Sequence, residues 1–497
     1  MCGIAGVFGQ PANHQVNFMI EKISHRGPDG HAVREFSRAA LGHTRLAILD
    51  IEGGHQPMQY GDAWIAFNGE IYNYRELQEK YLPGESFRTH SDTEAVLHLY
   101  RKFGPEFVEL LDGMFAFVIY QNGDFLMARD PLGIKPLYYG PRLDDGPFYF
   151  ASEIKALIGQ TGSVQEFPAG HWYHSQLGWN QYYRLEDTLQ PFDGSEKDAL
   201  PLIKSTLREA VHKRLLADVP VGISLSGGLD SSIVSALACE ATQQLHSFAV
   251  GVEGSEDLDA ARTMSEFLHT QHHELTYTTK DMLKALPDVI YHLETFDPAL
   301  VRSAIPNYFL AHLASRYVKV FLTGEGADEV YAGYEYLSGY DSPASLQEEM
   351  IHITEALHNT NLQRADRMSM AFGLEARVPF LDVETISVSL SFPPEWKLHR
   401  QRASKALLRK AFADDLPEKI VNRPKQKFSK GAGSSDLIAD LAEAQISDGE
   451  FASEKARLQK EWDYALQNKE ALYYYRIMTR FYDDKYIFPA LGRSRSL

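Results

Sequence analysis

The second residue of the chain is a cysteine, and its position makes it a candidate nucleophile. Removal of Met1 would leave a thiol and an α-amine on the same residue. An α-amine titrates near about 7.7–8.0 and a thiol near about 8.5, so the amine can relay the proton of the thiol at neutral pH. This arrangement needs no histidine. The alternative is that Cys2 is a small buried residue of a first strand.

Three further segments of the first hundred residues carry groups that suit an amino-acid substrate. N-G-E-I-Y-N at 68–73 offers an amide side chain and a glycine N–H, which could hold a tetrahedral oxyanion. Arg45 is predicted at the entry to a strand, and Asp92 opens a helix. An Arg and an Asp together suit the carboxylate and the ammonium of a free amino acid. Taken singly, Arg45 could form a surface ion pair and Asp92 could cap its helix.

A glycine-rich loop in the second half of the chain has the composition of a phosphate site. S-G-G-L-D-S-S at 226–232 lies between a predicted strand and a predicted helix. Two glycines let successive N–H groups face one point, serines add donors, and the helix contributes its positive end. The loop lacks the lysine of a Walker A motif and the spacing of a dinucleotide fingerprint. The alternative is a glycine-rich turn with a Ser or Asp helix cap.

A second acidic loop, T-G-E-G-A-D-E-V-Y-A-G-Y at 323–334, also ends a strand and starts a helix. Ligands of doubly wound sheets bind beyond the carboxyl ends of the strands, where both loops would lie. Asp230 and Asp328 could therefore meet around one Mg²⁺, which takes few carboxylates and completes its shell with phosphate oxygens and water.

The elements that must position these residues fall into two groups, and we predict domains at 1–190 and 200–497. The first is dense in short strand-like runs, at 63–68, 114–120, 125–130 and 147–152, with one helical pattern at 93–103 that stops at Gly104-Pro105. A polar, turn-rich stretch at 185–198 marks the join.

The second group alternates strands with helices, which predicts an α/β domain with a doubly wound parallel sheet and helices on both faces. Strand candidates lie at 219–225, 245–252, 273–278 and 318–323, a helix is predicted at roughly 199–216, and the last hundred residues look mostly helical apart from a loop around 422–434. Cys239 is predicted to lie on the interior side of a helix, in the core.

Composition restricts the class of protein. A chain of 497 residues with 44% hydrophobic and 23% charged residues is typical of a soluble globular protein of two domains. A net charge of −18 argues against nucleic acid as a partner. Two cysteines exclude a disulfide framework, and the opening residues lack the features of a signal peptide, so we expect a cytoplasmic protein without a membrane span. The oligomeric state is left open, a homodimer included.

The motifs of the first half resemble the glutaminase domain of N-terminal-nucleophile (class II) glutamine amidotransferases. C-G-I-A-G at 2–6, H-R-G-P-D-G at 25–30, N-G-E-I-Y-N, S-D-T-E and R-D-P-L-G-I-K-P-L-Y-Y at 129–139 carry the resemblance. It implies an α+β domain with the αββα sandwich of Ntn hydrolases. It also implies that Cys2 is the nucleophile and that the oxyanion is held by Asn68 and Gly69. The residues implied to hold glutamine, together with Asn68 and Gly69, are Arg45, Leu46, Ile48, Glu70 and Asp92.

The loop at 226–232 resembles the pyrophosphate loop of ATP pyrophosphatases, and both halves together resemble glutamine-hydrolysing asparagine synthetases over almost the whole chain. The resemblance implies that ATP, with Mg²⁺, adenylates aspartate and that ammonia from glutamine displaces AMP. The implied nucleotide contacts are Leu225, Ser226, Gly227, Gly228, Asp230, Ser231, Ser232, Val250, Met264, Thr323 and Gly324. Glu325 matches the proposed base, Lys425 the lysine that neutralises the α-phosphate, and Arg302 the partner of the acceptor carboxylate.

Some positions depart from the family pattern, and they lie near the acceptor. L-V-R-S-A-I-P at 300–306 transposes Ser303 and Ala304 relative to the common run, and Ala327 stands where serine also occurs. Three alternatives therefore stay open: amidation of another carboxylic acid, ATP-dependent ring closure as in β-lactam synthetases, and a silent regulator that binds nucleotide or glutamine. Amidation of another acid would give a different product, and ring-closing enzymes usually have a degraded glutaminase half. A silent regulator would release no glutamate.

Overall fold

The computed structural model describes residues 2–140, 146–242, 244–398, 404–424 and 437–491. Twelve strands precede residue 182: β1 Gly3–Phe8, β2 Gly30–Phe36, β3 Ala39–Arg45, β4 Met58–Tyr60, β5 Ala63–Ile71, β6 Gly113–Gln121, β7 Asp124–Arg129, β8 Tyr138–Gly140, β9 Phe148–Ala151, β10 Gln165–Glu166, β11 His171–His174 and β12 Gly178–Gln181. Five more follow: β13 Val221–Ser224, β14 His246–Gly251, β15 Gln271–Thr276, β16 Val320–Leu322 and β17 Glu375–Arg377.

The α-helices are concentrated in the second half of the described chain. The first half contains Asn13–Lys22, Tyr74–Tyr81, Asp92–Phe103 and Leu185–Thr188. The second half contains Glu196–Lys213, Leu229–Ala241, Glu256–Leu268, Thr279–Leu293, Pro298–Ala314, Ala327–Val330, Pro343–Glu355, Asn361–Met370, Val383–Ser391, Pro394–Lys397, Ala406–Ala411, Glu418–Val421, Leu437–Gln445, Asp448–Trp462, Lys469–Met478 and Asp484–Ile487. Short 3₁₀ turns lie at Ser24–Arg26, Gly104–Leu110, Ile154–Ala156, Glu335–Gly339, Ala356–Asn359, Pro379–Leu381 and Phe488–Ala490.

Two six-stranded sheets packed face to face form the first half. Their strand orders are β10-β8-β9-β1-β3-β2 and β12-β11-β7-β6-β5-β4, and neighbouring strands in these sheets pair antiparallel. Ile4 and Phe150 from one sheet and Ala66 and Val118 from the other belong to one buried cluster. The helix Asn13–Lys22 packs on the outside of the first sheet, and the helix Asp92–Phe103 packs on the second. This is the predicted αββα sandwich.

The second half is built on a five-stranded parallel sheet of order β15-β14-β13-β16-β17. From β13 the chain adds β14 and β15 toward one edge of the sheet and then β16 and β17 toward the other edge. The strand order therefore reverses between β13 and β16, which makes that position the topological switch point. Alternate side chains of β14 enter two different cores, with Phe248 on one side and Ala249 on the other. Helices therefore cover both faces, and the predicted doubly wound sheet and helical carboxy-terminal part are confirmed.

Most of the local predictions hold, with differences at element ends. The helix predicted at 93–103 begins at Asp92 and stops at Gly104, whose φ of 67° favours glycine. Its N-cap is Ser91, so the alternative that Asp92 caps the helix is wrong. Arg45 ends β3 rather than entering a strand, and the motif at 68–73 begins inside β5 rather than after it.

Two further predictions concern the domain boundaries and the absence of a membrane span. The stretch at 185–198 contains a single turn of helix, Leu185–Thr188, before the helix Glu196–Lys213. Domain boundaries at 190 and 200 stay a prediction. Within the described ranges, no helix combines the length and apolarity needed to cross a bilayer.

Candidate active sites

Cys2 lies where the two sheets of the first half meet. It directly precedes β1, whose first residue pairs with Thr44, so Cys2 lies at the end of β3, next to Leu46. The Sγ–Leu46 O distance is 3.9 Å, and the side chain is buried at 8% exposure. The nitrogen that becomes the α-amine after removal of Met1 donates to Oδ1 of Asn68 at 2.9 Å. Burial raises the pKa of the Cys2 thiol, so proton removal from sulfur needs a neighbouring acceptor.

Asn68 and Gly69 reach this point from the other sheet, within the long strand β5. Asn68 is fully buried, and within the described residues its Nδ2 has no hydrogen-bond partner. Gly69 approaches the neighbouring strand so closely that a Cβ would stand 2.1 Å from the Met114 carbonyl oxygen. A side chain there would separate β5 from β6. The amide of Asn68 therefore holds the Cys2 nitrogen with its oxygen and keeps a donor available for an oxyanion.

The two residues predicted to hold the ends of glutamine frame the same region. Terminal nitrogens of Arg45 donate to the carbonyls of Ile51 at 2.8 Å and Asp50 at 2.7 Å, which leaves other N–H groups of the guanidinium for a carboxylate. Asp92 is 4% exposed and accepts from the Ile71 amide at 2.8 Å. Burial raises the pKa of Asp92 to about 6. An arriving ammonium would favour its ionised form.

The remaining predicted glutamine contacts connect this region to the second half of the chain. Leu46 and Ile48 are buried in a small cluster with Val320 of β16. Burial raises the pKa of Glu70 well above its ordinary value, and its carboxylate lies 3.5 Å from the guanidinium of Arg377 in β17. The wall of the glutamine region is thus shared between the two halves.

The loop at 226–232 turns as its composition predicts. Gly227 has a φ of 66°, and a Cβ there would meet Ala260 at 2.4 Å. Ser231 Oγ donates to Gly228 O at 3.1 Å and lies 3.0 Å from Ser226 Oγ. Gly228 is the N-cap of the helix Leu229–Ala241, so the loop opens onto a helix N-terminus.

A small cavity adjoins this loop at the carboxyl ends of β13 and β14. Leu225, Ser226 and Val250 line it, as does Asp257. Met264 is fully buried in the core that contains Leu225 and is not among the residues that line the cavity. Three of the nucleotide contacts implied by the resemblance therefore line one cavity, and Met264 shares only the buried core with Leu225.

The second loop packs directly on the first. A Cβ at Gly324 would stand 2.8 Å from Cβ of Asp230 and 2.9 Å from the Ser231 amide nitrogen. Only a residue without a side chain allows this approach. Thr323 is buried, its amide donates to Arg377 O at 2.9 Å, and its Oγ1 accepts from the Glu325 amide at 3.3 Å. The switch point of the sheet thus brings both predicted loops together.

Asp230 and Asp328 both contact the ammonium of Lys405. Lys405 is 3% exposed, its Nζ lies 2.6 Å from Asp328 Oδ1, and it donates to Asp230 Oδ2. Burial lowers the pKa of Lys405, but the charges of the two aspartates outweigh it and raise that pKa above its ordinary value. Two carboxylates that converge on one positive charge fit a Mg²⁺ that arrives with nucleotide phosphates, since such an ion needs only one or two of them.

Glu325 is paired with Arg364, which donates to its carboxylate from the helix Asn361–Met370. Nearby Glu329 is 2% exposed and accepts from Tyr334 Oη at 2.5 Å and from Asn361 Nδ2 at 3.1 Å. Burial, reinforced by the charge of Asp328, raises the pKa of Glu329 to about 7. The predicted base therefore lies in a partly buried acidic cluster, where it contacts Arg364.

Arg302 and Lys425 are the two remaining contacts that the resemblance implies. Arg302 lies on the helix Pro298–Ala314, where its Nε donates to Glu470 at 2.8 Å. Lys425 lies outside the described residues. Arg423, two positions earlier, lies 2.6 Å from Asp257 and donates to Ser226 O at 3.4 Å. Cys239 is half-buried and packs against the core that contains Leu225, so it lies at the edge of the core in which it was predicted.

Sequence reasoning missed four residues: Lys405, Arg364 and Glu329, whose contacts are given above, and Arg26, whose Nε donates to the main-chain carbonyl of Cys2 at 3.0 Å. Arg26 and Glu329 lie in motifs that were noticed, H-R-G-P-D-G and the loop at 323–334. Arg364 lies in a helix and Lys405 lies immediately before one, both without a local signal, and only the folded chain brings them to their carboxylates.

Comparison with known proteins agrees with this geometry. Residues 1–175 match the model of a glutamine amidotransferase domain, and residues 202–342 and 338–486 match that of asparagine synthase. Asparagine synthetase [glutamine-hydrolyzing] 3 of Arabidopsis thaliana is 40% identical over 97% of this chain and 88% of its own length. The probable asparagine synthetase of Schizosaccharomyces pombe is 39% identical, over 98% and 94%.

A third relative, the probable asparagine synthetase of Dictyostelium discoideum, is 36% identical over 99% of this chain and 96% of its own length. All three matches extend across both halves, including the sheet sandwich, the parallel sheet and the loops at its switch point. On this evidence the chain belongs to the family of glutamine-hydrolysing asparagine synthetases.

Proposed function

We propose that this protein is an enzyme of that activity, a carbon–nitrogen ligase that forms asparagine from aspartate with ATP and the amide nitrogen of glutamine. The comparisons support the overall reaction, and the roles of individual residues are our assignments. One half releases ammonia and the other prepares the carboxylate that receives it.

In the glutaminase half, we assign the nucleophile to Cys2 after removal of Met1. Sγ forms a bond to the amide carbon of glutamine while the thiol proton passes through the α-amine to the departing ammonia. Nδ2 of Asn68 and the amide of Gly69 would stabilise the oxyanion. Water then hydrolyses the γ-glutamyl thioester, which releases glutamate and restores the thiol. Arg45 and Asp92 would hold the α-carboxylate and the α-ammonium, with Leu46, Ile48 and Glu70 around them.

In the synthetase half, an oxygen of the aspartate side chain attacks the α-phosphorus of ATP, and pyrophosphate leaves. The loop formed by Ser226, Gly227, Gly228, Ser231 and Ser232 offers its donors to the phosphates. Ammonia then attacks the carbonyl of β-aspartyl-AMP, Glu325 takes a proton, and AMP leaves. On the family resemblance, Lys425 would neutralise the α-phosphate and Arg302 would bind the acceptor, which requires it to leave Glu470.

Asp230 and Asp328 would hold Mg²⁺, which offsets the charge of the pyrophosphate leaving group when bound. The two aspartates converge on Lys405, so this assignment requires the ammonium to shift as the ion arrives with its nucleotide. A cytoplasmic location is in keeping with two cysteines that form no disulfide. The assembly state stays a prediction.

One observation supports the two-site proposal most strongly. Two arrangements occur together in one chain: Asn68 accepts a hydrogen bond from the Cys2 nitrogen, and Gly324 of the second acidic loop packs against Asp230 of the glycine-rich loop. A ring-closing enzyme with a degraded glutaminase half would not need both arrangements, and neither would a silent regulator.

The test is to supply amide-¹⁵N glutamine and ATP with aspartate, and separately with a panel of other carboxylic acids. Mass spectrometry should find ¹⁵N in asparagine, with AMP formed in equal amount. Labelled amide of another acid would show a different acceptor. Glutamate without any amide product, or no glutamate at all, would contradict the proposal.

A further inference from the structure

Arg26 is a fully buried side chain where the two halves of the chain meet. Its Nε donates to the main-chain carbonyl of Cys2 at 3.0 Å. Its terminal nitrogens donate to Glu153 Oε1 at 2.7 Å and to both oxygens of Asp366, at 2.8 and 3.2 Å. One planar group therefore connects the nucleophile with a carboxylate from each half of the molecule.

These contacts fix the main chain of Cys2 on both sides. Asn68 holds its nitrogen, and Arg26 holds its carbonyl oxygen. Once Met1 is removed, no residue precedes Cys2, and a chain terminus is poorly ordered unless it is tied down. The direction of the Cα–Cβ bond, and with it the position of sulfur, then depends on these two hydrogen bonds.

Arg26 can hold that carbonyl only while its own plane is held. A bidentate carboxylate fixes a guanidinium in position and orientation, and Asp366 supplies it. Asp366 is itself 3% exposed, and burial would raise its pKa, but the charges of Arg26 and Lys135 lower it below the ordinary value. The carboxylate therefore stays ionised and keeps both acceptors directed at Arg26.

Asp366 lies on the helix Asn361–Met370, which also carries Arg364, the partner of Glu325. Two residues along a helix correspond to a rise of about 3 Å. The same rigid turn thus contacts the proposed base of amide formation on one side and, through Arg26, the proposed nucleophile on the other.

We propose that Asp366 is a positioning residue for glutamine hydrolysis, which acts through Arg26 to fix the main chain of Cys2, so that the synthetase half completes the glutaminase site. The inference rests on the proposed role of Cys2. It goes beyond that role, because it makes the efficiency of glutamine hydrolysis depend on a helix of the synthetase half.

A purely structural ion pair between the halves is the competing explanation, and Glu294 provides a matched control. Glu294 also belongs to the synthetase half, is 1% exposed, and accepts from the main-chain amides of Ile154 at 3.1 Å and Lys155 at 2.8 Å. It pairs with Arg367 at 3.0 Å and contacts neither Cys2 nor Arg26 in the described structure. Glu294→Gln therefore disturbs the same interface without releasing the carbonyl of Cys2.

The experiment compares Asp366→Asn, Glu294→Gln and the parent enzyme, each full-length and freed of Met1. We expect Asp366→Asn to lower kcat for glutamine hydrolysis by about tenfold to a hundredfold, because a small misplacement of a reacting group has that effect. KM for glutamine and synthesis from ammonium salts should be unchanged. Alkylation of Cys2 by iodoacetamide, without glutamine present, should slow in Asp366→Asn and stay at the parent rate in Glu294→Gln.

The inference is overturned if Asp366→Asn hydrolyses glutamine with the parent kcat, or if Glu294→Gln loses as much. Parallel loss of ammonia-dependent synthesis would also overturn it, since that shows general damage. If Asp366→Asn does not fold, Arg26→Lys replaces it, because an ammonium cannot reach Cys2 and both oxygens of Asp366 together; unchanged kcat there overturns the inference. Failure of the parent enzyme to hydrolyse glutamine would instead count against the proposed function.

Discussion

Replacement of Asn68 tests the geometry of the glutaminase site most directly. The side chain does two things at once: Oδ1 accepts from the Cys2 nitrogen at 2.9 Å, and Nδ2 is buried without a partner in the described part of the chain. Alanine removes both groups. Aspartate keeps an acceptor for the nitrogen but has no N–H to offer an oxyanion, so the pair of variants separates the two roles.

The magnitude follows from what each group does in a buried site. Loss of one oxyanion donor lowers kcat by about 10²–10³-fold. Loss of the hydrogen bond to the Cys2 nitrogen removes about 0.5–1.5 kcal/mol more, or at most roughly another tenfold. We therefore expect Asn68→Ala to lose roughly 10²–10⁴-fold in kcat, and Asn68→Asp at least about 10²-fold. KM should change little if Arg45 and Asp92 hold the two ends of glutamine.

The assay is steady-state release of glutamate over a range of glutamine concentrations, with synthesis from ammonium salts as the measure of an intact second site. Asn73→Ala is the matched control from the same hexapeptide, because Asn73 donates to Leu110 O at 2.9 Å and accepts from the Asp112 amide at 3.1 Å, away from Cys2. The reasoning is refuted if Asn68→Ala keeps kcat within about tenfold of the parent, or if Asn73→Ala loses as much.

Three further predictions concern the nucleophile, the proposed base and the pH dependence of glutamine hydrolysis. Cys2→Ala should abolish glutamine-dependent synthesis and spare synthesis from ammonium salts; equal loss of both would contradict separate sites. Glu325→Ala should lose amide formation while glutamate release and ATP–pyrophosphate exchange remain, and loss of exchange would place Glu325 in adenylation instead. Because burial raises the pKa of Asp92 to about 6 and only its carboxylate attracts an ammonium, kcat/KM for glutamine should rise with pH through about 6. A flat profile between pH 5 and 7 would contradict that role.

Sequence alone predicts the parts of this molecule that depend on local pattern. Apolar runs and glycine turns place the strands and the two loops, and the order of strands and helices predicts that both loops reach one edge of the parallel sheet. Element ends are less well determined, since the apolar pattern continues on both sides of Arg45 and of Asn68. The cap at Ser91 was missed because Ser and Asp suit that position almost equally.

Partnerships between distant residues could not be predicted. Arg26 and Asp366 are 340 positions apart, and Lys405 and Asp230 are 175 apart. Neither pair has a periodicity or a spacing that would announce it. Arg302 is a further example, because its motif suggests a substrate contact and nothing local in the sequence indicates its pairing with Glu470, 168 positions away.

The joint between the two halves contains, beside its apolar contacts, a group of charged side chains that is almost completely excluded from solvent. Dissolved ions weaken attraction between charges at the surface but hardly reach groups such as Arg26, Glu153 and Arg367, each at most 1% exposed. Concentrated salt should therefore leave the halves joined. A glutaminase half cut away from the rest would keep the pair of Arg26 with Glu153 but lose the two hydrogen bonds to Asp366 that orient the guanidinium, and so would not behave as an independent enzyme.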